Sequence, residues 1–293
     1  MLIKQNICGI YNGKITMTKI KNDNLYKFSK QTPWQFALVV LLYLVGSTGF
    51  PISIFTFFLG DSLNAKLIAI ILARLICCVL PIYLVYEIKL ERIFSLKGFF
   101  YRFLLIIPFL LVAINNFPII PLAGNDVSLT DNRFITWFLY AISVLFSVSL
   151  EEITFRGLIL PTIYRKLKSN KNAQFLSVFI SSALFGLAHL FNLFAGAGIG
   201  SVIMQIGYSF LIGGMCAIAF IKTGNFYNCI ILHFIFNLGG LLYDYNLIKG
   251  NIWTVENVIV TAVLAVIVII YAIIIFLKNN DKTFENKVIC EED

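Results

Sequence analysis

Histidine is nearly missing from this chain: there are two among 293 residues. Charge is scarce as well, at 13% of residues, where soluble domains carry about a quarter. Six cysteines are present, but none forms a CxxC pair or a metal-ligand spacing. That pattern excludes a zinc finger and a thioredoxin-type redox centre. No HExxH string occurs, which excludes an ordinary zincin. Residues 1–33 are polar and basic and lack the apolar core of a secretory signal. No soluble domain, linker or internal repeat is visible, and the missing repeat removes a common transporter signature.

What is abundant is apolar. Hydrophobic residues make up 59% of the chain, with 28 phenylalanines. Soluble domains stay near one half, so the composition predicts an all-α, polytopic membrane helical bundle. Apolar runs mark eight expected spans: 34–58, 66–86, 103–120, 134–160, 174–192, 199–221, 226–243 and 256–277. The first is read as a retained anchor; Met17 is an alternative start. The basic segment 1–33 precedes the bundle at 34–277, and a tail of mixed charge follows at 278–293.

The net charge of +8 would suit nucleic acid, but its distribution does not. Eighteen Lys and Arg residues fall in the N-terminal segment, the even-numbered loops and the tail. Three, Lys66, Arg133 and Lys249, fall in the odd loops. The positive-inside rule then predicts cytoplasmic termini, a multi-pass protein of the cell membrane and no nucleic-acid partner. Gly196 and Gly200 form a GxxxG spacing, and Gly213 and Gly214 follow. Small residues of this kind predict close helix packing.

The stretch SLEEITFRGLIL at 149–160 puts three formal charges between apolar runs. A charged side chain at a helix centre costs about 2.5–3.5 kcal/mol, and a Leu or Ile returns only about 0.3–0.6. Glu151, Glu152 and Arg156 must therefore face the bundle interior, a wet cavity or one another. Glu152 and Arg156 are i and i+4, a pairing distance, and Glu151 points about 100° away. Both histidines also lie inside expected spans. Phe185 and His189 are i and i+4, as are His233 and Asn237. Taken singly, each has a bland reading: a span end, a structural imidazole, an interhelical amide. Arg74 reads as a structural partner or a snorkelling side chain. Together, carboxylates, imidazoles and an amide on three spans predict one site.

Such a site can activate water. A carboxylate takes the proton as water attacks a carbonyl, and imidazole and carboxamide N–H groups stabilise the oxyanion. Alternatively, Glu151, His189 and His233 could hold Zn²⁺ with an open position.

EEITFR resembles the EExxxR motif of the CPBP intramembrane proteases, named for CAAX proteases and bacteriocin-processing enzymes. Phe185 to His189 resembles their FxxxH motif, and His233 to Asn237 their HxxxN motif, in the family's order. The likeness covers about 134–240, the expected protease core. It implies an endopeptidase with Glu151 as general base, His189 assisting it, and His233 with Asn237 forming the oxyanion hole. Glu152 and Arg156 would set the local geometry, with Phe185 beneath the imidazole. The favoured mechanism is metal-free. Expected partners are the lipid bilayer and a membrane-associated peptide or protein substrate, such as a small-peptide or bacteriocin precursor. The Lys-, Asn- and Ile-rich composition leans away from a prenylated substrate. Two readings compete: a non-catalytic scaffold or bacteriocin-immunity protein on the same fold, and a proton-coupled transporter. Placing the site at one depth requires YRKLKSNKN (164–172) to leave the bilayer or turn along its surface.

Overall fold

A computed structural model describes residues 10–11, 14–15, 33–47, 50–88, 90–96, 99–194, 196–252 and 254–277. The tail expected at 278–293 and most of the segment expected at 1–33 lie outside the described residues. Near the N-terminus, β1 (Ile10–Tyr11) pairs antiparallel with β2 (Lys14–Ile15). Helices follow: α1 (Pro33–Ser47), α2 (Phe50–Leu59), α3 (Leu63–Glu87), the short α4 (Phe99–Phe103), α5 (Ile107–Asn115) and α6 (Ile119–Ala123). Next come β3 (Val127–Leu129), α7 (Phe134–Glu152), a π-helical stretch Ile153–Ile159 and α8 (Leu160–Leu167). Then α9 (Ala173–Ala188), a 3₁₀ turn His189–Leu193, α10 (Ile199–Thr223), α11 (Phe226–Gly240), β4 (Ile248–Gly250) and α12 (Val255–Leu277) complete the described chain. The result is an all-α membrane bundle.

Among the described residues, six helical segments are long and apolar enough to cross a bilayer: Leu38–Leu59, Leu63–Glu87, Phe134–Leu167, Ala173–Leu193, Ile199–Thr223 and Val255–Leu277. The other two expected spans, 103–120 and 226–243, are the shorter apolar helices Leu104–Asn115 and Phe226–Gly240. Fifteen residues rise about 22 Å, less than the ~30 Å hydrocarbon core.

A helix that ends inside the bundle must have its terminal polar groups met by protein, and α11 satisfies this at both ends. Asn225 caps the start, its side-chain oxygen accepting from the Tyr227 amide at 3.0 Å. Its Nδ2 donates to the Ser95 carbonyl at 3.2 Å. In the last turn, the Phe236 carbonyl accepts from Asn116 Nδ2 and the Leu238 carbonyl from the Tyr140 hydroxyl, both at 2.7 Å. A Cβ at Gly239 would lie 2.7 Å from the Phe117 amide nitrogen, so only glycine permits this approach. Beyond α11, β3 and β4 pair antiparallel, with Val127 opposite Gly250 and Leu129 opposite Ile248.

Expected packing at Gly196 and Gly200 is corrected: a Cβ at either would meet nothing within 4 Å among the described residues. Close approach occurs at Gly186, whose Cβ would come within 2.9 Å of the Ile206 carbonyl, and at Gly213. Segment 164–172 also differs from expectation in part. Helix α8 continues through Leu167 and carries Arg165 and Lys166 in its last turn; only 168–172 form the turn.

Candidate active site

The site begins where α7 loses its regular winding. Ile153–Ile159 is π-helical, with every residue buried. Pro161 follows in the first turn of α8. It has no N–H for the Gly157 carbonyl, and its ring crowds that oxygen. A wider turn relieves the conflict, and such turns recur at functional sites. Within it, the Thr154 hydroxyl bonds back to the Leu150 carbonyl at 2.8 Å. Gly157 lets α3 approach, since a Cβ there would stand 3.3 Å from Val85 Cγ2.

The two glutamates at the mouth of this turn have different surroundings. Glu152 is fully buried, while the Glu151 side chain retains 15% exposure. Glu152 Oε1 accepts from Arg156 Nη1 at 2.8 Å and lies 2.7 Å from His233 Nδ1. Arg156 Nη2 donates to the Gly213 carbonyl of α10 at 2.8 Å. His233 Nε2 then faces Glu151 Oε2 at 3.4 Å. One imidazole is thus held between both carboxylates, with its orientation set by Glu152. Since Nδ1–H is the donor to Glu152, the contact of Nε2 with Glu151 requires a proton shared between those two groups.

Phe185 is the floor. Its ring meets the His189 ring at 5.3 Å and the His233 ring at 5.6 Å between centroids, both edge-on. The Arg156 guanidinium lies 4.9 Å above the same ring, a cation–π contact. Phe155 packs edge-on against Phe185 at 5.0 Å and against Tyr43 of α1 at 5.2 Å. Gly213 makes the stack possible: a Cβ there would come 3.0 Å from Phe185 and 3.3 Å from Arg156 Nη2.

His189 arrives at the matching depth. From the turn at 168–172, Glu152 lies 15 residues back from Leu167 and His189 lies 16 residues on from Ala173, each about 22–24 Å. His189 is half-buried, closes α9, and is within electrostatic range of Glu151 and His233. It makes no ion pair with either glutamate among the described residues; the imidazole touching Glu151 is His233. Asn237 stands one turn beyond His233, half-buried, and its backbone carbonyl accepts from the Leu241 amide.

Two metal-ligand sets can be tested. Among the described residues, the set gathered within 4.8 Å is Glu152, Cys216 and His233, not Glu151, His189 and His233. Nor does the gathered set suit a cation. Glu152 Oε1 already bonds both His233 Nδ1 and Arg156 Nη1, so a fixed guanidinium stands on the oxygen a cation would need; the other oxygen, Oε2, is buried without a hydrogen bond.

Sequence reasoning did not find the Gly213 carbonyl, Cys216 or the π turn. The adjacent Gly213 and Gly214 were a signal, read only as helix packing.

Residues 133–239 match a family model described as type II CAAX prenyl endopeptidase Rce1-like. The match spans all three motifs. Searches of curated proteins and of solved structures give no significant match.

Proposed function

The chain belongs to the CPBP family through residues 133–239, a CAAX-type protease group, and from that premise we propose that it hydrolyses a peptide bond inside the membrane by glutamate-activated water. The observation that carries this reading is the linked set Glu151–His233–Glu152–Arg156, with a partly exposed carboxylate at one end and a buried ion pair at the other.

Glu151 is the general base. It takes a proton from water as the oxygen attacks the carbonyl carbon, and the C=O pair moves onto oxygen. His233, carrying a proton on each ring nitrogen, keeps Nδ1–H on Glu152 and donates Nε2–H to that oxyanion. Asn237 Nδ2–H supplies the second donor. His189, packed on the same Phe185 ring as His233, orients the water. When the tetrahedral intermediate collapses, the C–N bond breaks and the proton on Glu151 passes to the leaving amine. Glu152 and Arg156 do not touch substrate; they position His233. The substrate is a membrane-associated peptide or protein. A prenylated chain, as the family description names, is one form; a small-peptide or bacteriocin precursor is the form the composition favours.

The test uses the full chain in proteoliposomes with membrane-anchored peptides of both kinds. Cleavage in H₂¹⁸O should place one heavy oxygen in the new carboxylate. Glu151→Gln should lower the rate by at least about 10²-fold, the lower range for a lost general base, with an unchanged thermal midpoint. Equal cleavage by wild type and Glu151→Gln would sink the reading. A bacteriocin-immunity scaffold would instead keep its protective phenotype in Glu151→Gln, because the buried Glu152–Arg156–His233 network is intact in that variant.

A further inference from the structure

Arg74 of α3 is a second intramembrane arginine, and the proposed mechanism leaves it without a task. Its Nε–H donates to the Ser147 hydroxyl at 3.3 Å. Ser147 lies one helical turn before Glu151 on the same face of α7, so Arg74 packs against the face of α7 that carries Glu151, without reaching ion-pair distance of it. Tyr43 is within electrostatic range of Arg74 and Glu151 together. Arg156 has Glu152 as its counter-ion. Arg74 forms no ion pair with a carboxylate among the described residues. Its Nη1 is shielded from solvent and has no hydrogen-bond acceptor. The side chain is turned onto Ser147 of α7. Gly46 of α1 packs next to it: a Cβ there would come 2.7 Å from Cys77 Sγ and would stand in ordinary contact, 3.7 Å, with Arg74 Nη1.

An arginine within a membrane-spanning helix that has no carboxylate at ion-pair distance among the described residues is a candidate functional group. A guanidinium fork matches a carboxylate. We propose that Arg74 is a substrate-binding residue that anchors a carboxylate of the bound peptide beside Glu151. The proposal rests on the protease reading and adds to it a requirement for an anionic group close to the scissile bond. That group is either the peptide's own C-terminus or an acidic side chain.

The experiment titrates the full chain in proteoliposomes, carrying Glu151→Gln to stop turnover, with three fluorescent N-palmitoylated apolar hexapeptides. One ends in a free carboxylate, one in a carboxamide, and one in a carboxamide with aspartate at the fifth position. The free-carboxylate peptide should bind about tenfold tighter than the carboxamide, which corresponds to about 1.4 kcal/mol. Adding Arg74→Met should bring that ratio to about one, and Arg74→Lys should leave an intermediate ratio, since a point charge replaces a fork. If only the aspartate peptide outbinds the plain carboxamide, and does so through Arg74, the anchor stands and its ligand is a side chain. A ratio near one in the parent, or a ratio that survives Arg74→Met, overturns the proposal. The thermal midpoint guards against a folding artefact. Removing a cation without a counter-ion should not lower it, and a lowered midpoint with the ratio intact identifies a merely structural arginine. The two readings separate cleanly. If the otherwise wild-type chain cleaves all three peptides and binds them equally, the anchor falls and the protease stands. Discrimination without cleavage gives the reverse.

Discussion

Helix α12 and the segment Phe134–Leu167 are both long enough to cross a bilayer, yet their side chains are sorted in opposite ways. In α12 the sole charged residue is Glu256 in the first turn, and Val268 is the sole buried residue. Most of its other Ile and Val side chains face outward; Ile267, for example, is 51% exposed. In the other segment, two fully buried residues are Glu152 and Arg156. The more apolar helix is the less buried one. In lipid, apolarity does not drive a helix into the protein, since hydrocarbon is as good a neighbour as leucine. Polar groups do, because outside the bundle they have no partner. Between these two segments, burial follows the hydrogen-bonded and ionic groups, and the site lies where those groups converge.

The largest test of that contrast is Arg156→Ala. It leaves Glu152 buried without its counter-ion, a change that typically destabilises by about 3–5 kcal/mol. The variant should fail to accumulate, or should melt far below wild type in nanodiscs. Arg156→Lys should rescue folding only in part, because one ammonium cannot reproduce the fork that reaches both Glu152 and the Gly213 carbonyl. Normal accumulation of Arg156→Ala would mean that the ion pair does not organise the bundle.

Gly213→Ala should come next. The added methyl sits 3.0 Å from Phe185 and 3.3 Å from Arg156 Nη2. Overpacking of this kind costs about 1–3 kcal/mol, and it tilts the ring that supports both imidazoles. Turnover should fall more than peptide affinity does. Gly200→Ala is the control, since nothing among the described residues lies within 4 Å of the new methyl; both melting and turnover should match wild type. If the two variants behave alike, the close approach at Gly213 is not what holds the site.

Asn237→Ala removes one proposed oxyanion donor. A loss of about 10²–10³ in kcat is expected for such a group, with KM little changed, in a progress-curve assay on the anchored peptide. A change in KM alone would move Asn237 from transition-state stabilisation to substrate binding.

Much of this arrangement was legible in the sequence because helical spacing is local. Glu152 and Arg156 at i and i+4, and Phe185 beneath His189, need only one helix each to be inferred. The membrane bundle was legible from the long apolar runs. What escaped were the features that depend on distant partners. Hydropathy cannot show that α11 stops short, because its carbonyls are met by Asn116 and Tyr140, roughly a hundred residues earlier in the chain. Spacing alone placed His233 with Asn237 on one face, but not the bond from its Nδ1 to Glu152 on another helix. Nor does a Gly-Gly pair show which of its backbone carbonyls will accept from an arginine 57 positions away.

The smallest expected effect belongs to α12. Val268→Ala deletes two methyl groups at the one buried position of that helix. In a soluble core the loss would combine transfer and cavity terms. Here the exposed surroundings are lipid, so the transfer term largely vanishes and only packing contacts are lost. The destabilisation should stay below about 1 kcal/mol, within the range of ordinary surface changes, and kcat should be unchanged in the anchored-peptide assay. A fall in kcat without a fall in melting temperature would break the contrast between the two helices: α12 would then be a wall of the substrate path rather than a lipid-facing flank, and its low burial would mark an opening into the bundle.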